Sequence, residues 1–89
     1  MVTYDDLLSS IVRSQINILG FETAIKFLKD IDGLAVAPNG RVSGGDLKKL
    51  ELVVDAYIKI SGSVAQKFMK VAIKPLLDEN TIELPDNLK

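Results

Sequence analysis

At 89 residues the chain has room for one domain and one core, because domains mostly run from about 50 to about 250 residues. A formal net charge of −1 provides no global field for nucleic acid or an anionic membrane. The absence of both cysteine and histidine excludes disulfides, thiolate catalysis, the usual general base at neutral pH and the usual transition-metal ligands.

The apolar content is high for so short a chain, at 47% with a mean hydropathy of +0.21. Tyr4, Phe21, Phe27, Tyr57 and Phe68 are its only rings, so the apolar mass is aliphatic and suits packed helices. A chain of this size buries only about 60–65% of its unfolded surface, and any surplus of aliphatic side chains calls for a partner.

In chain order, Thr3 and Asp6 form a capping-box pattern ahead of a first helix. Tyr4, Leu7, Leu8, Ile11, Val12, Ile16 and Leu19 recur at helical spacing, and Gly20 follows as the terminating residue. A second helix is expected over Phe21–Ile31. Its inner face would be Phe21, Ala24, Ile25, Phe27, Leu28 and Ile31, with Glu22 and Lys29 placed well for the helix dipole and Gly33 ending it.

Leu34 to Ser43 reads as a short β-hairpin. Asn39-Gly40 can supply the two positive φ values of a type I′ turn, which would set Ala37 opposite Val42 and Val36 opposite Ser43. Pro38 fits an edge or turn position.

After Gly44-Gly45, Asp46 is placed to cap a long apolar region. Leu47, Leu50, Leu52, Val53, Val54, Ala56, Tyr57, Ile58 and Ile60 leave a narrow polar stripe, the pattern of a helix covered on more than one side. At Ser61-Gly62-Ser63 the helix either stops, with Ser63 and Gln66 boxing a new one, or runs through. The polar stripe keeps its phase across the glycine through Lys59, Ser63, Gln66 or Lys67, Lys70 and Lys74, which favours the continuous helix. One helix from Asp46 to Lys74 would span roughly 43 Å. That overhangs a body whose radius of gyration should be about 12 Å, and a second copy is the simplest cover.

Pro75 ends or kinks the helix near Lys74, and Leu76-Leu77 forms a last apolar turn. The tail 78–89 is acidic and partly ordered, with Ile82 and Leu84 available to pin it and Pro85-Asp86-Asn87 frayed.

Candidate motifs are few. Asp5 and Asp6 suit the positive end of a helix dipole. Asp30-Ile31-Asp32-Gly33 opens like a calcium loop, but it lacks glycine at the sixth position and glutamate at the twelfth; a frame starting at Asn39 lacks the acidic ligands. Gly40-Arg41-Val42-Ser43-Gly44-Gly45-Asp46 has glycines ahead of a helix but no Lys-Ser or Lys-Thr, so turn glycines are the expected role. Lys67, Lys70 and Lys74 share a helix face and are candidate anion or phosphate contacts. Residues 41–74 carry seven basic side chains (Arg41, Lys48, Lys49, Lys59, Lys67, Lys70, Lys74) against Asp46, Glu51 and Asp55, a local net of +4. A solvated stripe is the more ordinary use of such lysines. A polar pocket for catalysis or ligand binding would draw on Tyr57, Arg41 and Asp55, though nothing in the pattern calls for one.

The expected architecture is mainly α, a small bundle ordered helix–helix–short β-hairpin–long helix, continuous or broken, then tail. It makes one domain over 1–89, paired as a homodimer through 46–77 with Leu50, Val53, Tyr57, Val64, Phe68, Met69 and Ile73 as central contacts. The expected function is that of a non-enzymatic interaction, regulatory or adaptor module, without cofactor, binding itself or another protein rather than nucleic acid or membrane. The alternative is a winged-helix-like DNA-binding regulator, since two helices followed by a hairpin match its outline. No stretch reaches the roughly 18 apolar residues of a membrane span, and Met1-Val2-Thr3-Tyr4-Asp5-Asp6 lacks the basic and apolar regions of a signal peptide, so the cytoplasm is the expected location.

Overall fold

The computed structural model describes residues 2–26, 28–78 and 82–89. Helix α1 spans Tyr4–Leu19, α2 Phe21–Ile25, α3 Leu47–Ser61 and α4 Ser63–Leu77. The strands β1 (Ala35–Val36) and β2 (Val42–Ser43) form an antiparallel pair between α2 and α3, and single 3-10 turns cover Leu28–Asp30 and Asp86–Leu88. The architecture is mainly helical with a small hairpin, as the pattern predicts.

The first helix starts where its box places it. Thr3 Oγ1 accepts the Asp6 amide at 3.2 Å while Asp6 Oδ2 accepts the Thr3 amide at 3.0 Å, so two orphan donors are satisfied reciprocally. Gly20, at φ +83, ends it with its N–H on the Ile16 carbonyl. One face of α1 buries Leu7, Leu8, Ile11 and Val12 completely. Ser9 ties the hairpin to this helix: its hydroxyl donates to the Asp5 carbonyl at 2.7 Å and accepts the Val42 amide at 2.8 Å.

The second helix is shorter than its apolar spacing predicts. Beyond Ile25 the backbone tightens into i→i+3 bonds, Ile31 N–H to Leu28 O and Leu34 N–H to Ile31 O. An eleven-residue segment is below the length that helix propensity can hold alone, so packing decides its form. Ala24 and Leu28 are buried as expected, but Phe21 faces outward, and Phe27 lies outside the described residues.

The hairpin forms with a different register. Val36 pairs with Val42 and Ala35 with Ser43, and the loop is the three residues Pro38-Asn39-Gly40. Proline is at home in the second position of a type I turn, and here the Gly40 amide closes that turn on the Ala37 carbonyl at 2.9 Å. Only Gly40 takes positive φ (+85), followed by the bulge typical of three-residue hairpins. A type I′ turn would need positive φ at Asn39 as well, which it does not adopt. The shifted register sends Val42 into the core. At the base of the hairpin Gly44 (φ +81) passes so close to the Gly33 carbonyl that a Cβ there would collide with it.

Asp46 caps α3 by accepting the Lys49 amide at 2.8 Å. The long helix is broken, not continuous: Gly62 turns out of helical space at φ +71 and ψ −156, a conformation that glycine alone reaches without strain. The expected Ser63–Gln66 box does not form; Gly62 occupies the capping position and Gln66 reaches the Asn87 carbonyl instead. With the break, α4 folds back on α3 and α1. The radius of gyration is 11.6 Å and the principal extents are 32 × 26 × 21 Å, so no helix overhangs the body. Pro75 sits in the last turn of α4 and is exposed, and the helix continues through it to Leu77.

The tail docks more fully than its composition predicts. Leu88 is buried against the core, and the 3-10 turn packs on both α3 and α4. Asn87 Nδ2 donates to the Glu51 carbonyl at 3.1 Å and to Asp55 Oδ1 at 2.8 Å. Pro85-Asp86-Asn87 is therefore an ordered clasp and not a frayed end. Among the described residues no helix is long and apolar enough to cross a membrane.

Candidate docking face on the last helix

The core takes most of what α3 and α4 present. Leu50, Val53, Tyr57, Met69 and Ile73, five of the seven residues expected at a subunit contact, are each at most 1% exposed within the single chain. Tyr57 donates its hydroxyl to the Ala24 carbonyl at 2.7 Å, and burial pushes its phenol well above the ordinary value of 10.0. These five side chains have no surface left to offer a second copy. The physical reason is the fold-back at Gly62, which lets one chain cover the α3–α4 seam.

The other two, Val64 and Phe68, stay outside, 58% and 48% exposed, and Val71 joins them at 69%. At about 100° per residue, Ala65, Met69 and Ile73 mark the inward face of α4. Val64, Phe68 and Val71 fall in one row within about 60° of each other on the outside. Lys67, Lys70 and Lys74, all exposed, form a second row about 90° round the helix. Among the described residues none of the three is in an ion pair, and α4 contains no acidic residue. On the other side of the apolar row the helix is closed by α1, where Ser10 Oγ donates to the Ala72 carbonyl at 2.8 Å. The lysines therefore flank one side only.

The remaining candidates resolve into local structure. The carboxylate of Asp5 accepts the Gly45 amide at 2.6 Å, and that of Asp46 caps α3, so carboxylates of the chain itself fill the glycine-rich approach where an anion would sit. Asp6 joins the capping box and takes Arg41 Nη1 at 2.8 Å; that bond first, and the Thr3 amide next, hold its carboxyl below the ordinary 3.8. Tyr57, Arg41 and Asp55 are not brought together: they bond separately to Ala24, Asp6 and Asn87. A shallow hollow of about 280 Å³ beside Arg13 and Arg41 is open to solvent and already holds the Asp6 carboxylate. No cluster of three or more potential metal-ligating residues occurs among the described residues. The helix that the winged-helix outline would use for recognition is five residues long, Phe21–Ile25.

Sequence reasoning missed Val71. The signal was available in the i, i+4, i+7 spacing of Val64, Phe68 and Val71, but a continuous helix gave no way to tell its inner from its outer apolar row. No protein-family profile matches the chain, and neither a characterised protein nor a solved structure is significantly similar to it.

Proposed function

We propose that the chain is a non-enzymatic interaction module that engages another protein through the outward face of α4. The observation that carries this reading is the exposed row of Val64, Phe68 and Val71 on a domain whose core is already complete. Single exposed apolar residues are ordinary on protein surfaces, whereas three in register on one helix form a face of the kind that helical partners occupy. Their burial in a partner would recover apolar area at roughly 25 cal/mol per Å². An adaptor or regulatory subunit of this size works by presenting such a face on a rigid support. Here the support is the packing of α4 on α1 and α3.

Site-specific photocrosslinking in host cells tests the reading. A benzophenone side chain at position 71 is expected to trap adducts of discrete mass. The same probe at Lys48, exposed on α3, should not, and Phe68→Asp should abolish the adducts at 71 without unfolding the chain. Equal trapping at both positions, or none at 71, would overturn it.

A further inference from the structure

We infer that the partner of α4 is an acidic amphipathic helical segment of another protein, its apolar side on Val64, Phe68 and Val71 and its carboxylates along Lys67, Lys70 and Lys74. This rests on reading α4 as the docking face and adds the chemistry of what docks there.

The first argument is charge. Three lysines project from a helix with no acidic residue, and among the described residues none has an ionic partner. Their mutual repulsion is relieved when carboxylates lie beside them, and partial exclusion of water by the apolar row strengthens those pairs.

The second argument is asymmetry. Ser10 bonds to the Ala72 carbonyl, and Leu76 shares a hollow with Asp6 and Ser10, so α1 and α4 run antiparallel in this register. About two further turns carry α1 to Ile18, half exposed, at the level of Val64. The face thus has lysines on one border and an apolar floor about 15 Å long between Val64 and Lys74; on the other border stand Ser14 and Asn17 of α1, with Arg13 a turn back and held on the Asn39 carbonyl. That floor matches three turns of a partner helix with apolar residues at i, i+3 or i+4, and i+7.

The same asymmetry disfavours a second copy as the occupant. A second copy pairing antiparallel about a two-fold axis would set lysine row beside lysine row. A parallel two-fold pair would set each lysine row against Ser14 and Asn17, which carry no charge.

The experiment follows the backbone amides of the isotopically labelled full chain during titration with three probes. One is a synthetic helix-forming peptide with leucines on one face and glutamates on one border. The second is the same peptide with lysine for each glutamate, and the third is vesicles of mixed phosphatidylserine and phosphatidylcholine. The glutamate peptide is expected to give saturable shifts confined to residues 14–18 and 63–75, and to bind at least about tenfold more tightly than the lysine peptide at low salt. The triple variant K67E/K70E/K74E, which alters only exposed side chains, should invert that preference. Equal affinity of both peptides for α4 would leave the docking face standing and overturn the acidic partner. Tighter binding to the vesicles would assign the face to lipid, and a concentration-dependent doubling of mass by light scattering, with shifts on α4, would assign it to a second copy. Shifts elsewhere, or no saturation up to about 1 mM, would remove both readings.

Discussion

Helices α1 and α4 are nearly equal in length, 16 and 15 residues, and pack against each other, yet they treat solvent differently. The inward side of α1 carries Leu7, Leu8, Ile11 and Val12, all fully buried, while Arg13 and Asn17 face out. The inward side of α4 carries Ala65, Met69 and Ile73, just as well buried, and its outward side carries Val64, Phe68 and Val71. Folding accounts for the first set of apolar residues in each helix and for nothing in the second set of α4. One exposed apolar residue on α1, Ile18, lies in its last turn at the level of Val64, so the exception adjoins the same face. A helix that is apolar on both sides, with only one side used by the core, is the observation on which the proposed docking role of its outer side rests.

The largest effects should fall on the inward residues and should be alike in the two helices. Ile11→Ala and Ile73→Ala each remove a side chain buried to within 1% and should each destabilise the chain by about 2–5 kcal/mol, read from the midpoint of urea unfolding at constant slope. Against a total stability of about 5–15 kcal/mol such losses are severe. If Ile73→Ala cost much less than Ile11→Ala, α4 would be only loosely attached. Its outer row would then be fraying helix and not a displayed face.

A smaller effect sharpens how α1 is anchored. Asp6→Ala removes the return half of the capping box and the contact with Arg41. The return hydrogen bond from the Thr3 amide is worth about 1 kcal/mol, and the ion pair, with side chains 46% and 32% exposed, adds less than that, while Thr3 still caps the residue-6 amide. Because Arg41 and the Thr3 amide hold the Asp6 carboxyl below its ordinary 3.8, the folded state binds this proton more weakly than the unfolded chain does. The contribution is therefore complete above the ordinary value and is lost as pH falls through the depressed one. Urea unfolding of wild type and Asp6→Ala should differ by about 1 kcal/mol at neutral pH and converge toward about pH 2. A difference that persists undiminished in acid would show that the side chain acts through packing and not through its charge.

These two helices also mark what was legible in the sequence. The start of α1 was readable because a capping box is a matter of four consecutive residues, Thr3 to Asp6, and the same holds for Asp46 at the head of α3. The hairpin was readable as an element, but its register depended on whether Pro38 or Asn39 leads the turn, a choice that decides which residues of β1 share a face with Val42. Gly62 was the ambiguous point. The new helix starts at the very next residue, so the polar stripe passes the break with its phase nearly intact and imitates a continuous helix. The clasp made by Asn87 could not be read at all, since its partners Glu51, Asp55 and Gln66 lie 21 to 36 residues away. Of the proposed docking face, Val64, Phe68 and the three lysines were legible by type and spacing. Their separation from Met69 and Ile73 was not, because both rows of α4 are apolar and only the fold-back shows which one faces the core.

The smallest expected effect carries the most weight for that separation. Val71→Ser replaces a side chain that is 69% exposed, so its loss removes little buried area and leaves no cavity. Surface substitutions of this kind usually change stability by less than about 0.5 kcal/mol, and the β-branched valine is itself an indifferent helix former, so no propensity penalty enlarges the change. The expected result is an unfolding midpoint within error of wild type, beside a neighbour two positions on, Ile73, whose truncation costs several times more. A loss of 2 kcal/mol or more at Val71, at about the lower limit for a core residue, would mean that the outer row of α4 is covered in solution. If that loss shrank with dilution, the cover would be another copy of the chain, because self-association stabilises the wild type only as far as protein concentration sustains it.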